Sequence, residues 1–167
     1  MTDTPTARWI VCEDGVEYLE RFRRFLVGFE LVGVASAAAL WCALDERPAR
    51  GLLLDLDFRR TPAELLIDER GQPAASAGAA AGSGAGQAAG ARLVAEQGLM
   101  ILRALRARGS RLPVVLFADL DDPARGARLV QQLGPLRLAP SDTGLDTLMR
   151  WMHELTAASS DAADFEP

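Results

Sequence analysis

Short unbroken apolar runs alternate along this chain with longer stretches in which apolar residues return every three or four positions. Trp9-Ile10-Val11-Cys12 is the first run, and it stops at Glu13-Asp14-Gly15, as a buried strand entering a turn does. From Val16 the period lengthens. Val16, Leu19, Phe22, Phe25 and Leu26 recur at helical spacing, separated by Glu17, Glu20, Arg21, Arg23 and Arg24. Residues 29–35 (FELVGVA) read as a second strand. Ser36 then caps a second helix, whose apolar face carries Leu40, Trp41 and Leu44 and which ends before Pro48. Leu52-Leu53-Leu54 predicts a third strand, ended by two aspartates one residue apart, Asp55 and Asp57.

The pattern then breaks. Residues 58–92 hold a polar segment, RRTPAELLIDERGQP, followed by AASAGAAAGSGAGQAAGA, which has no aromatic or branched side chain to pack. The expectation is a flexible insertion over 58–92, with Leu65-Leu66-Ile67 docking as a small extra strand or turn. Helical spacing resumes at about Arg92 and closes at Gly109, with Gly98 inside the helix or near a kink. Residues 113–117 (PVVLF) predict a fourth strand, Pro123 opens a helix running to about Leu133, and Leu136-Arg137-Leu138 is a short fifth strand. Leu145, Leu148, Met149, Met152 and Leu155 mark the last helix. Residues 7–156 therefore form one domain, and 157–167 are expected to be a loose acidic tail.

Strands separated by helices imply a parallel sheet covered on both faces, since parallel strands need crossover connections. The fold class is α/β, doubly wound, with five strands in the flavodoxin-like order 2-1-3-4-5. In such a sheet ligands bind beyond the C-terminal ends of strands 1 and 3, where the strand order reverses. Here those ends are Glu13-Asp14 and Asp55-x-Asp57, so four carboxylates are expected to meet at one crevice.

Composition narrows what that crevice can be. At 167 residues, with 49% hydrophobic and 25% charged residues, the chain has the make-up of a soluble globular domain. A net charge of -5 and the absence of any basic cluster beyond Arg-Arg pairs argue against nucleic acid as a partner. Two cysteines and one histidine, His153, do not supply a structural zinc site. Cys12 and Cys42 lie in apolar contexts, so both are expected to be buried and inert. No basic-then-apolar leader opens the sequence and no apolar run reaches the ~18 residues of a membrane span, so a cytoplasmic location away from membranes is expected. All 18 basic residues are arginine, and lysine is absent.

Carboxylates gathered at one point stay ionised only when water, arginines or a hard cation compensates them. Mg²⁺ is the usual cation, held by one or two carboxylates, waters and a phosphate oxygen. At these residues the chain resembles a known family. Ile10-Val11-Cys12-Glu13-Asp14, LLLDL around Asp55, GLMILRALRARG at 98–109 and PVVLF at 113–117 are similar to the CheY-like receiver domain of bacterial response regulators. The resemblance spans the chain apart from the insertion and the tail. It implies Mg²⁺ held by Glu13, Asp14 and Asp55 and by the backbone carbonyl of the residue two beyond, Asp57, with Asp55 the phosphoacceptor of a two-component phosphorelay.

The other half of the family's site is missing. Ala118 ends strand 4 where the family has Thr or Ser, Ala139 precedes Pro140 where it has Lys, and Leu136 stands at its aromatic switch. Methyl groups cannot donate hydrogen bonds to phosphoryl oxygens. The resemblance therefore points to an atypical receiver (pseudo-receiver), a non-enzymatic protein-interaction module with weak Mg²⁺ binding at most. Its partner is expected to be another signalling protein, a kinase or an effector, with the last helix as the surface for a homodimer. Three other readings stand beside it. One is a phosphorylatable receiver using Asp55 and Mg²⁺; another is a plain scaffold whose acids form a solvated rim. The third is a phosphatase of the haloacid-dehalogenase type, whose Asp-x-Asp motif resembles Asp55-Leu56-Asp57. Those enzymes carry the motif on the first strand and use a lysine, and neither condition is met here.

Overall fold

The computed structural model describes residues 6–74 and 84–163. The strands β1 (Ala7–Cys12), β2 (Phe29–Val34), β3 (Gly51–Asp55), β4 (Val114–Phe117) and β5 (Leu136–Ala139) form one parallel sheet in the order β2-β1-β3-β4-β5. The helices are α1 (Glu17–Phe25), α2 (Ala37–Glu46), α3 (Gly84–Ala95), α4 (Gln97–Ala107), α5 (Pro123–Leu133) and α6 (Leu145–Ala163). The expected fold class and strand order are those observed. Among the described residues no helix is long and apolar enough to cross a membrane.

Strand alternation divides the core in two. Trp9, Val11, Leu53, Val115 and Phe117 turn to the face covered by α1 and α6, where Phe22, Leu26, Leu148 and Met152 meet them. Ile10, Cys12, Leu52, Leu54, Val114 and Leu116 turn to the other face, beneath α2, α4 and α5. The central strands β1, β3 and β4 are buried throughout their apolar stretches, which is why they read as unbroken runs rather than as alternation. Ser36 caps α2 by accepting from the Ala39 N–H at 3.2 Å, as expected.

Several expectations need correction. The helical tract begins at Gly84 rather than at about Arg92: alanine, the strongest helix former, fills the stretch, and Leu93 and Val94 pack its end against the core. Residues 75–83 of the insertion lie outside the described residues. The segment before them is built into the fold: a 3-10 turn at Ala63–Leu65 leads to Leu66 and Ile67, which are buried beside α4. A full burial of such a side chain contributes about 2 kcal/mol. Ile67 bridges Pro73, and Asp68 closes the turn between them by accepting from the N–H groups of Arg70 and Gln72, both at 2.9 Å. The acidic tail is likewise helical as far as Ala163, since α6 runs through the alanines and Thr156 accepts from the Trp9 indole at 3.2 Å. Cys42 is exposed, one position off the Leu40/Ala43 stripe, whereas Cys12 is buried. Val16 and Phe25 face solvent, so α1 buries only the Phe22–Leu26 side.

The break between α3 and α4 positions the site. In a continuous helix the Gly98 N–H would bond to the Val94 carbonyl. Here Gly98 donates instead to the Leu56 carbonyl (2.9 Å), and the Val94 carbonyl accepts from the Phe58 N–H (3.0 Å). One helical bond is exchanged for two bonds to the loop after β3. A Cβ at Gly98 would stand 2.0 Å from the Asp55 carbonyl oxygen, so only glycine permits this approach.

Candidate functional site

The sheet register aligns the strand ends on which the crevice is built. Cys12 lies beside Leu54, Asp55 beside Phe117, and Phe117 beside Ala139. Beyond them opens a pocket of about 340 Å³, whose lining includes Tyr18, Asp55, Asp57, Arg59, Ala118 and Ser141.

Asp55 is half-buried at its floor. Its Oδ1 accepts from the Leu56 N–H at 2.8 Å. Burial nevertheless outweighs that bond and the one from the Asp57 N–H, and with the charges of Asp14 and Asp57 it raises the Asp55 carboxyl to about 6. The same burial, reinforced by Asp55 and Glu13, pushes the Tyr18 phenol and the Cys12 thiol upward. Tyr18 stacks on Phe117 at 5.1 Å and on Phe22 at 5.6 Å, forming an aromatic wall along one side of the pocket.

The other three expected ligands are engaged elsewhere. Glu13 is buried and turned to the start of α1, where its two oxygens accept from the N–H groups of Tyr18 (3.1 Å) and Leu19 (2.7 Å). It therefore acts as the helix's N-terminal cap and complements its dipole. Asp14 accepts from the Arg60 backbone N–H (2.6 Å) and from Arg60 Nε (3.3 Å). Asp57 Oδ2 pairs with Arg59 Nε at 2.6 Å, while its Oδ1 is enclosed with no hydrogen-bond partner among the described residues. Among the described residues no three His, Cys, Asp or Glu side chains are arranged to hold a metal ion. The expected set Glu13, Asp14, Asp55 and Asp57 thus shares a crevice, with the side chains of Glu13, Asp14 and Asp57 engaged by protein partners.

The three positions without polar groups are part of the core. Ala118 and Ala139 are buried and joined through the Ala118 N–H and the Ala139 carbonyl at 3.0 Å. Leu136 is buried among the residues facing α5, such as Leu129. Asp119, one residue past Ala118, accepts from the Ser141 N–H at 2.8 Å, and this bond holds its carboxyl below the ordinary range.

Sequence reasoning missed the arginines of the crevice. Arg60 bridges Asp14 and Glu17, and Arg59 takes Asp57. The available signal was the pair Arg59-Arg60 directly after the acidic pair, in a chain whose basic residues are all arginine.

No family model matches the sequence, and no curated protein is detectably similar to it. Similarity is found in structure. The signal receiver domain of a putative LuxO repressor protein from Vibrio parahaemolyticus superimposes with a TM-score of 0.67 at 9% identity, covering 96% of this chain and 98% of that one. The receiver domain of the Francisella response regulator 1452 gives 0.63 at 10% identity, covering 92% and 98%. NtrX from Brucella abortus gives 0.63 at 16% identity; the match covers 95% of this chain and 29% of the longer NtrX chain. The fold is that of the CheY-like receiver domain, with the helical tract α3 and the 58–74 segment inserted after β3.

Proposed function

We propose that this receiver-fold chain is a signalling module that binds a partner protein without the usual aspartyl-phosphate switch. The observation that carries the reading is the pair Ala118–Ala139, buried and bonded to each other where a hydroxyl and an ammonium would have to face Asp55. A phosphoryl group shifts a conformational equilibrium only through contacts that differ between the two states. Two methyl groups and Leu136 offer none. The reading assigns the crevice no catalytic role. Within this reading the partner is a kinase or an effector, and the edge of α6 bearing half-buried Trp151 and exposed His153 is the surface for a second copy.

One observation favours the phosphorylatable alternative: Asp55 faces an open pocket that Arg59 and Ser141 also line. The two readings separate experimentally. Beryllofluoride, a mimic of aspartyl phosphate, should shift few resonances beyond the crevice. Asp55→Asn should retrieve from native lysate the same partner as wild type. Reorganisation of β5 and α6 by the mimic, or loss of the partner in a folded Asp55→Asn variant, would establish the phosphorylation switch instead.

A further inference from the structure

The crevice already contains a cation. The Arg60 guanidinium meets Asp14 Oδ1 through Nε and Nη2, both at 3.3 Å, and spans Glu17 through Nη1–Oε1 (2.6 Å) and Nη2–Oε2 (3.0 Å). The two Glu17 contacts form a fork-to-fork pair, the geometry that makes arginine more than a point charge. The hydrogen bond from Arg60 holds the Glu17 carboxyl down at about 2. Asp14's other oxygen is occupied by the Arg60 backbone N–H at 2.6 Å, and its side chain is only 6% exposed, which leaves little access for an ion carrying its own waters. Gly15 completes the cradle. A Cβ there would fall 2.3 Å from Arg60 Nη2 and 2.1 Å from Glu17 Oε2, so a side chain at residue 15 would displace the guanidinium and the Glu17 carboxylate from this position.

We propose that Arg60 replaces the divalent cation of this crevice, joining the β1–α1 loop, the first turn of α1 and the loop after β3 into a metal-independent latch. The donor set supports this. The side chains of Glu13, Asp14 and Asp57 are committed to the start of α1, to Arg60 and to Arg59, which leaves Asp55 with backbone N–H partners only among the described residues. The inference deepens the proposed function by giving the crevice a preset shape, yet it stands or falls separately. Metal binding by wild type would overturn the latch while leaving the comparison of Asp55→Asn with wild type to decide partner binding.

The test is a Mg²⁺ titration of the full chain, followed by ¹H–¹⁵N spectra against an NaCl control of matched ionic strength. Wild-type amides of Asp14, Gly15, Asp55 and Leu56 should move no further than in the control up to ~20 mM MgCl₂, above the millimolar range of weak divalent sites. Arg60→Gln removes the guanidinium from Asp14 Oδ1 while keeping the backbone N–H bond to Oδ2, and should gain a saturable Mg²⁺ response at the same amides. Gly15→Ala, which displaces the guanidinium from the other side of the contact, should behave likewise and carries the test if Arg60→Gln does not fold. A saturable millimolar response in wild type would overturn the proposal. So would two folded variants that both remain refractory, because Arg60 would then not be what excludes the ion.

Discussion

Asp55 is a carboxylate of the crevice whose partners are not arginines, and burial sets its properties. Its partners are backbone N–H groups, and its acidic neighbours Asp14 and Asp57 oppose ionisation. A carboxyl raised from 3.8 to about 6 keeps its proton in the folded chain over a range in which the unfolded chain has lost it. Its ionisation therefore costs nothing below the lower value, costs progressively more as pH rises towards 6, and costs its full amount above that. Allowing for partial exposure, the full cost is about 1–2 kcal/mol. Asp55→Asn should accordingly stabilise the protein by about that amount at roughly pH 7.5 and by much less at roughly pH 3.5. Urea unfolding at both values measures it, and an equal effect at both would show that burial does not control this group. Glu13, more deeply buried, has a different fate: it is held by two N–H groups at the start of α1. Adjacent acids in the sequence thus serve different ends, and only the direction in which each leaves the chain distinguishes them.

Among the elements, the α3–α4 junction does most to shape the crevice. Its two exchanged hydrogen bonds hold the loop after β3, and Glu96 at the break pairs with Arg92 (3.2 Å) and with Arg125 of α5 (2.6 Å). Gly98→Ala would drive a methyl into the Asp55 carbonyl and the Leu56 backbone, neither of which is a flexible side-chain end. The expected loss is about 2–4 kcal/mol, together with a changed Asp55 carboxyl resonance, because the same contact positions both. Denaturant unfolding and carboxyl ¹³C shifts check the two parts; an unchanged stability would mean that the helix break is pliable. Arginine serves a comparable role at the far end of α4. Arg106 donates to the carbonyls of Leu133 (2.8 Å), Ser110 (3.0 Å) and Pro135 (3.1 Å), stapling the end of α4 to the connections that precede β4 and β5. Burial, aided by Arg111, lowers its guanidinium to about 10, so it remains charged at neutral pH. A planar fork with several donors suits such multiple carbonyl contacts, and this is one structural use of a chain that has arginine and no lysine.

At the scale of the whole molecule, the insertion after β3 is in part a cover for the core. Leu66, Ile67, Leu93 and Val94 pack on the α4 side of the sheet, whereas residues 88–92 of α3 are exposed. Deleting residues 76–88 should therefore change the unfolding free energy by only about 1 kcal/mol, the scale of altered loop closure. A loss of several kcal/mol in thermal or urea unfolding would show that the removed stretch contributes to the core. The sheet itself was legible in the residues. Unbroken runs such as Leu52–Leu54, alternating with helical periods, determine buried parallel strands, and the observed order is one of the few that right-handed crossovers allow. The meeting of Glu13-Asp14 with Asp55 and the methyl side chains of Ala118 and Ala139 were legible too, because strand ends and side-chain identities are local properties. The commitments of the acids were not. Whether Asp14 meets a metal ion or Arg60, 46 positions along the chain, depends on how the loop after β3 folds back over Gly15. The same holds for the start of α3 and the break at Glu96, where hydrogen bonds to Leu56 and Phe58 compete with the helix's own. Periodicity records which face of an element is buried; hydrogen-bond and charge partners brought together by loops are settled only when the tertiary fold fixes distances of a few ångströms.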